Sequence, residues 1–399
     1  MRTVLFILFI NTLLLSYDVT SMIKVLNSPY KDIYPNKKEL YARNIWDMKE
    51  FEAKLYMGAG NSSNIGPAQN AGPLPLISYD PSTKKFERVS VIHDEQIDII
   101  KTFRNRLYIP GHDATQSWDY ANIYIKEAGK ELKKYRNIKD GLHVYDLAFY
   151  KDKIFAALGT KRGAAVAISS DNAKSWDIRY LGRYRIYSFL EVDDRLFAIK
   201  FFPSSKYLQK MPAKTKDLFF SVAEYKKGKF EPIRDLTSKD FFPDTNNIEI
   251  ASQKIIRPVK TSKGSIYIGA FLHNDHQSLP FGTYYVQILK NRPICKKVTI
   301  PNNYDVWDII KKNNDIYLLS YNRMRKAVAV LHAKEDDLDS FKEYISFKSS
   351  SFARSFEYME GIFYFSIGSE VKDPKKFDYN EIDKDTGKIA IFDTRYITN

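Results

Sequence analysis

The sequence predicts an all-β fold: a seven-bladed β-propeller of four-stranded antiparallel blades, with the ring closed by an N-terminal strand. Three observations lead there. One motif recurs seven times: a polar turn, a short apolar strand, a tight polar turn and a second apolar strand. Aromatic residues make up 15% of the chain, with 28 Tyr and 26 Phe, as suits pleated, half-buried surfaces. Finally, 399 residues suit one propeller as well as they suit two average domains.

The copies read NIWDMKEFEAKLYMGAG, QIDIIKTFRNRLYIPGH, VYDLAFYKDKIFAALGT, IYSFLEVDDRLFAIKFF, IIRPVKTSKGSIYIGAF, VWDIIKKNNDIYLLSYN and RSFEYMEGIFYFSIG. The apolar residue opening each second strand gives the register marks Leu55, Leu107, Ile154, Leu196, Ile266, Ile316 and Ile362, spaced about 51 residues apart. A third strand follows in each copy (PLISYD, NIYIKE, AVAISS, LFFSVAEY, YYVQIL, AVAVLH, KIAIFD). In six copies an outer strand then follows (FERVSVI, KKYRNI, WDIRYL, FEPIRDL, KKVTI, FKEYISF). The seventh copy lacks one, so the segment SMIKVLNSP near the start is expected to complete that blade and cover the sheet edges that an open ring would expose.

Ahead of the repeats, Met1-Arg2 and the apolar run VLFILFINTLLL have the layout of a secretory signal peptide and are shorter than the ~20 residues a bilayer requires. Residues 1–21 are therefore read as a leader and 22–399 as a single propeller domain, secreted or periplasmic, with no transmembrane segment. Cys295 is the only cysteine, so no disulfide forms within the chain.

Lys and Arg number 62 against 48 Asp and Glu, a net charge of +14, which favours an acidic glycan or another anionic surface polymer as partner. Lysines solvating strand edges account for the same excess. Nucleic acid is not expected, because the basic residues are dispersed and the chain is read as exported. There is no Gly-rich phosphate loop, no Cys-based metal site and no G-x-S-x-G elbow.

The stretch SSDNAKSW, between the third and fourth strands of the third copy, resembles the Asp-box, S/T-x-D-x-G-x-T/S-W/F, of secreted bacterial-type sialidase-like (BNR-repeat) propellers. Ser169, Asp171, Ser175 and Trp176 match, and Ala173 stands where the pattern has Gly. An Asp carboxylate there accepts backbone N–H bonds across a tight turn over a packed Trp. The resemblance implies a blade-stabilising turn on the rim, away from catalysis. It also implies an arginine triad that holds a substrate carboxylate, and a Tyr nucleophile with a Glu base.

Chemistry in a propeller gathers at the mouth of its central channel. Residues 8 to 12 positions before the register marks start the innermost strands: Arg43, Glu95, His143, Arg185, Arg257, Asp305 and Arg354. Guanidinium forks match carboxylate, sulfate and phosphate oxygens, so Arg185, Arg257 and Arg354 are the candidate triad, with Arg43 beside them. Ion pairing with Glu95 or Asp305 is the structural alternative. His143, Tyr145 and Glu95 are candidates for proton transfer, and Tyr184 and Tyr304 are placed similarly.

The loops between second and third strands add further groups. GAGNSSNIGPAQNAGP (58–73) reads as a shaped polar loop. PGHDATQSWDYAN (110–122) carries His112, Asp113, Trp118 and Asp119, and FLHNDHQSLPFG (271–282) carries His273, Asp275 and His276. The last set is too small for a structural zinc motif, so neither a metal nor a cofactor is assigned.

Two functions are compatible with this reading. One is a secreted propeller that binds, and in a glycosidase or uronate-lyase role cleaves, an acidic glycan. The other is a noncatalytic envelope or extracellular platform for a protein or polymer. Insertions at 201–217 and 369–388 either cover the site or recruit a partner.

Overall fold

The computed structural model describes residues 16–62, 68, 70–245, 251–272, 278–301, 303–370 and 378–397. Seven sheets form the expected seven blades, each built on four antiparallel strands taken in chain order, except that the last draws its outer strand from the N-terminal end. The innermost strands are Asp47–Phe51, Lys101–Phe103, Gly141–Tyr150, Ser188–Val192, Gln253–Lys260, Tyr304–Lys312 and Ala353–Met359. Second strands read as nearly unbroken apolar runs because neighbouring blades cover both faces: in Lys153–Thr160 every residue after the first is buried.

Five inner hairpins turn through two consecutive left-handed residues: Glu52-Ala53, Arg104-Asn105, Lys151-Asp152, Asp193-Asp194 and Glu360-Gly361. This backbone matches the right-handed twist of the flanking strands, which is why EAK, RNR and KDK can make turns that favour Asn and Gly.

The ring closes as expected. Lys24–Leu26 pairs antiparallel with Ile389–Asp393 as the outer strand of blade seven. Residues 16–19, which the leader reading assigns to the signal peptide, also take part in the fold. Tyr17–Asp18 adds a parallel fifth strand beside Lys342–Lys348 of blade six, and Val19 is fully buried there. Tyr30 and Tyr34 pack with Tyr364 and Ile389 in the seam between blades seven and one.

Two outer features depart from expectation. The third strand of blade four starts at Val222, because Ala213–Leu218 is helical and forms, with the helix Ser205–Lys210, most of the 201–217 insertion. The outer strand of blade five is Arg292–Lys297, not KKVTI, because Lys290-Asn291 already makes the left-handed turn that pairs Leu289 with Arg292.

The innermost strands carry interblade clips. Asp47 Oδ2 accepts the Ile100 N–H of blade two at 2.7 Å, Asp146 Oδ2 accepts the Phe189 N–H of blade four at 2.8 Å, and Asp308 Oδ2 accepts the Phe356 N–H of blade seven at 3.3 Å. Ser355 donates to the Ile45 carbonyl of blade one at 2.7 Å. A buried hydrogen bond contributes about 0.5–1.5 kcal/mol, and up to about 3 kcal/mol where the acceptor is ionised, so together these clips are substantial struts between neighbouring wedges.

Among the described residues no helix is long and apolar enough to cross a membrane.

Candidate functional site

Along the propeller axis lies a cavity of about 900 Å³. Among its lining residues are Glu95, His112, Asp113, His143, Tyr145, Arg185, Arg257 and Arg354. Four other candidates fall outside it. Arg43 donates to the Tyr34 and Pro35 carbonyls, and Asp305 pairs with Arg323 at 2.5 Å. Tyr304 bonds Glu343 and Arg325, while Tyr184 packs with Phe201, Tyr207 and Phe219. His273, Asp275 and His276 lie outside the described residues.

The lining corrects one expectation drawn from net charge. It carries seven Lys and Arg against eight Asp and Glu, so the basic excess lies elsewhere on the molecule. Most of these charges are paired. Arg257, on the inner strand of blade five, reaches across to Asp47 at 3.3 Å and Asp308 at 3.5 Å, and also bonds the Trp46 carbonyl. Burial pushes both carboxyls up, Asp308 to about 7, against the pull of Arg257. This cluster ties blades one, five and six together across the channel. Lys101 holds Asp146 at 2.5 Å, and Lys260 pairs with Glu191.

Arg354 is likewise occupied. It donates to Asn44 Oδ1 at 3.1 Å and the Ser369 carbonyl at 2.6 Å, and its guanidinium lies 4.2 Å from the Trp46 ring centre. The three arginines therefore do not converge on one vacant point.

The opposite sector is built differently. The PGHDATQSWDYAN segment forms a short strand, His112–Ala114, which joins Asp94–Gln96 and extends the sheet of blade three inward past its innermost strand. His112 pairs directly across from His143 on Gly141–Tyr150. Asp113 takes a left-handed backbone, φ 59°, which places its carboxylate Oδ1 2.7 Å from His143 Nδ1 and Oδ2 3.8 Å from His112 Nε2. Gly159 makes room behind this pair: a Cβ there would sit 3.1 Å from both the Arg185 side chain and the His143 ring.

Electrostatics separates the two imidazoles. Burial would lower His112, but Asp98, 2.8 Å from Nδ1, and Asp113 outweigh it and hold the ring up at about 9. Burial lowers His143 to about 4, with the His112 charge adding to it and Asp113 opposing. Burial would raise Asp98, yet His112 and Gln96 bring it down to about 2. Both His Nδ1 contacts are short but misaligned for hydrogen bonding, so each Nδ1 lacks an aligned partner among the described residues.

Beside the imidazoles stand Tyr145, 5.0 Å from His143 in a stacked arrangement, and Tyr187, 5.0 Å from Tyr145. Arg185 lies 5.6 Å over the Tyr145 ring and bonds its hydroxyl, and Lys254 lies 5.3 Å over Tyr187. Neither cation has a carboxylate within ion-pair distance among the described residues. Burial lowers Lys254 to about 8. Trp118, also in the lining, is half-exposed and donates to the Ala114 carbonyl at 3.2 Å.

Lys254, Tyr187, Asp98 and the clip carboxylates were missed by sequence reasoning, although a signal for the ring exists. Seven to nine residues before each register mark stands the centre of a triplet: WDM, IDI, YDL, YSF, IRP, WDI and RSF.

Neither a protein-family model nor a curated protein matches the chain. Solved structures match it in shape. The WD40 domain of Neurospora crassa Pan2 superposes with a TM-score of 0.52 at 8% identity, covering 94% of this chain and 96% of that one. A chain of the mitotic checkpoint complex gives 0.50 at 8% identity, covering 93% and 94%. Kuenenia stuttgartiensis hydrazine synthase gives 0.50 at 10% identity, covering 82% and 93%. These likenesses fix the fold.

The Asp-box-like turn is formed and lies away from the cavity. Asp171 accepts the Ser175 N–H at 2.9 Å and its hydroxyl at 2.6 Å, Ala173 adopts φ 67°, and Trp176 donates to Asn137 at 3.1 Å. An alanine in that left-handed conformation is strained where glycine would not be.

Proposed function

We propose that the protein is a binding platform whose channel mouth receives an anionic group, an acidic side chain or carboxylate terminus, presented by a protein partner. The observation that carries this reading is the pair Arg185 and Lys254. They are two cations held over aromatic rings at an open cavity, while neighbouring lining charges are matched. Burial raises Glu95, which accepts from Asn70, and lifts Glu370 to about 7, so the Glu370 carboxyl carries less than full charge near neutrality. Half-exposed Trp118 adds a rigid amphipathic contact of the kind enriched in interfaces. One scaffold of this kind serves many functions, and the likeness to a chain of a checkpoint complex supports an assembly role only by analogy.

The Asp-box-like turn favours a second reading, an acidic glycan as the bound partner in a sialidase-like propeller. The occupied states of Arg257 and Arg354 count against hydrolysis by an arginine triad. Export through a leader ending at or before Ser16 would keep Tyr17–Asp18 in blade six.

The test is calorimetric titration of the purified, chelator-treated protein with a glutamate-rich peptide, its glutamine counterpart, and uronate and sialyl oligosaccharides. The platform reading expects the acidic peptide to bind and Arg185→Ala and Lys254→Ala each to weaken it at least tenfold. Oligosaccharide binding with release of new reducing ends or unsaturated products would replace it with the enzyme reading.

A further inference from the structure

We infer that His112, Asp113 and His143 form a site for a divalent transition-metal ion, Zn²⁺ being the best match, with coordination positions left open toward the channel. One ligand atom from each lies within 4.8 Å of the others, and all three residues are buried. Two imidazoles and one carboxylate are ligand types that suit zinc, and a three-residue set leaves room for an exogenous oxygen. Donors at ~2.0–2.2 Å from one ion lie roughly 3–4 Å apart, so the present separations of 2.7 and 3.8 Å to Asp113 need only small side-chain adjustments.

The surroundings are those of a supported ligand set. Asp98 Oδ2 lies 2.8 Å from His112 Nδ1, which leaves Nε2 directed toward Asp113. A carboxylate on the far nitrogen fixes the tautomer and orientation of a metal-binding histidine. The buried Nδ1 of His143, which faces Asp113, lacks an aligned hydrogen-bond partner among the described residues, which is costly unless something else takes its lone pair. The left-handed backbone at Asp113 turns its carboxylate between the two rings, and strain of this kind persists where the surrounding structure imposes it. Arg185 opposes a bare cation here, so an ion carrying an anionic oxygen, from carboxylate or phosphate, is the favoured occupant.

This inference stands on the histidine and aspartate geometry and is independent of the peptide reading, whose titration is done metal-free. The experiment takes the full protein after chelator treatment and titrates Zn²⁺ by calorimetry and Co²⁺ by visible absorption. The expected result is one equivalent per chain, a low-coordinate Co²⁺ spectrum, and affinity weakened at least tenfold in Asp113→Asn and in His143→Gln. Asp98→Asn should weaken it by about tenfold through His112. Absence of stoichiometric uptake by the wild type, or uptake undiminished in both ligand variants, overturns the proposal. The Co²⁺ spectrum of the wild type reads the site even where a variant fails to fold.

Discussion

Two arginines line the same channel and stand in opposite circumstances. Arg257 is enclosed by Asp47, Asp308 and the Trp46 carbonyl and joins three blades. Arg185 rests on Tyr145 with no carboxylate in ion-pair contact, beside Lys254 in the same state. The first acts as a brace, because removing it strands two buried carboxyls. The second is available to a ligand, because no carboxylate is left unmatched without it and only the Tyr145 hydroxyl loses a partner. A cation's place in a channel therefore says little about its role until its partners are known.

The sharpest way to break this contrast is Arg257→Ala. Loss of one partner from a buried charge cluster is expected to destabilise by about 3–5 kcal/mol, read as a lower urea midpoint. A shift no larger than that of Arg185→Ala would abolish the distinction. Next comes Asp146→Ala, which frees the Phe189 and Leu147 N–H groups and Lys101, with an expected loss of about 2 kcal/mol and a looser seam between blades three and four by hydrogen exchange.

Lys200 sharpens the comparison from another side. It too lacks a carboxylate in ion-pair contact among the described residues, but it is sealed: Nζ donates to the Leu181 carbonyl at 2.6 Å and lies 3.7 Å from the Phe220 ring centre. Burial lowers it to about 7 from an ordinary 10.5. Between those values the unfolded chain holds a proton that the native chain has shed, so stability should rise with pH across that window. Lys200→Met should gain about 1–2 kcal/mol at pH near 6 and lose that advantage by pH near 9, as followed by thermal melts at both.

Asp171→Ala should cost about 1 kcal/mol through loss of its bonds to Ser175, with no effect on binding at the channel mouth. Smallest of all, Arg185→Ala should cost under about 1 kcal/mol through its bond to Tyr145 while weakening peptide binding at least tenfold.

The blades were legible because each buries two apolar strands around a tight turn, and that pattern is local. The closing strand was legible from what blade seven lacked. The site was legible only as a set of residue types. Counting 8 to 12 positions back mixed true channel residues such as His143 with Arg43, which ends the 3-10 helix Lys37–Arg43 ahead of its inner strand, and Asp305, which precedes a bulge between Val306 and Asp308. Pairing was beyond local reading: the Arg257 contact to Trp46 spans 211 positions. The inward strands Asp94–Gln96 and His112–Ala114, three residues each, are too short to leave a periodicity.

The joint between Lys24–Leu26 and Ile389–Asp393 also governs how the molecule comes into being. Its halves are made at opposite ends of synthesis, so six blades must wait, with their end faces uncovered, for the seventh to arrive. Contacts so distant in sequence make for slow completion and a long exposure to aggregation.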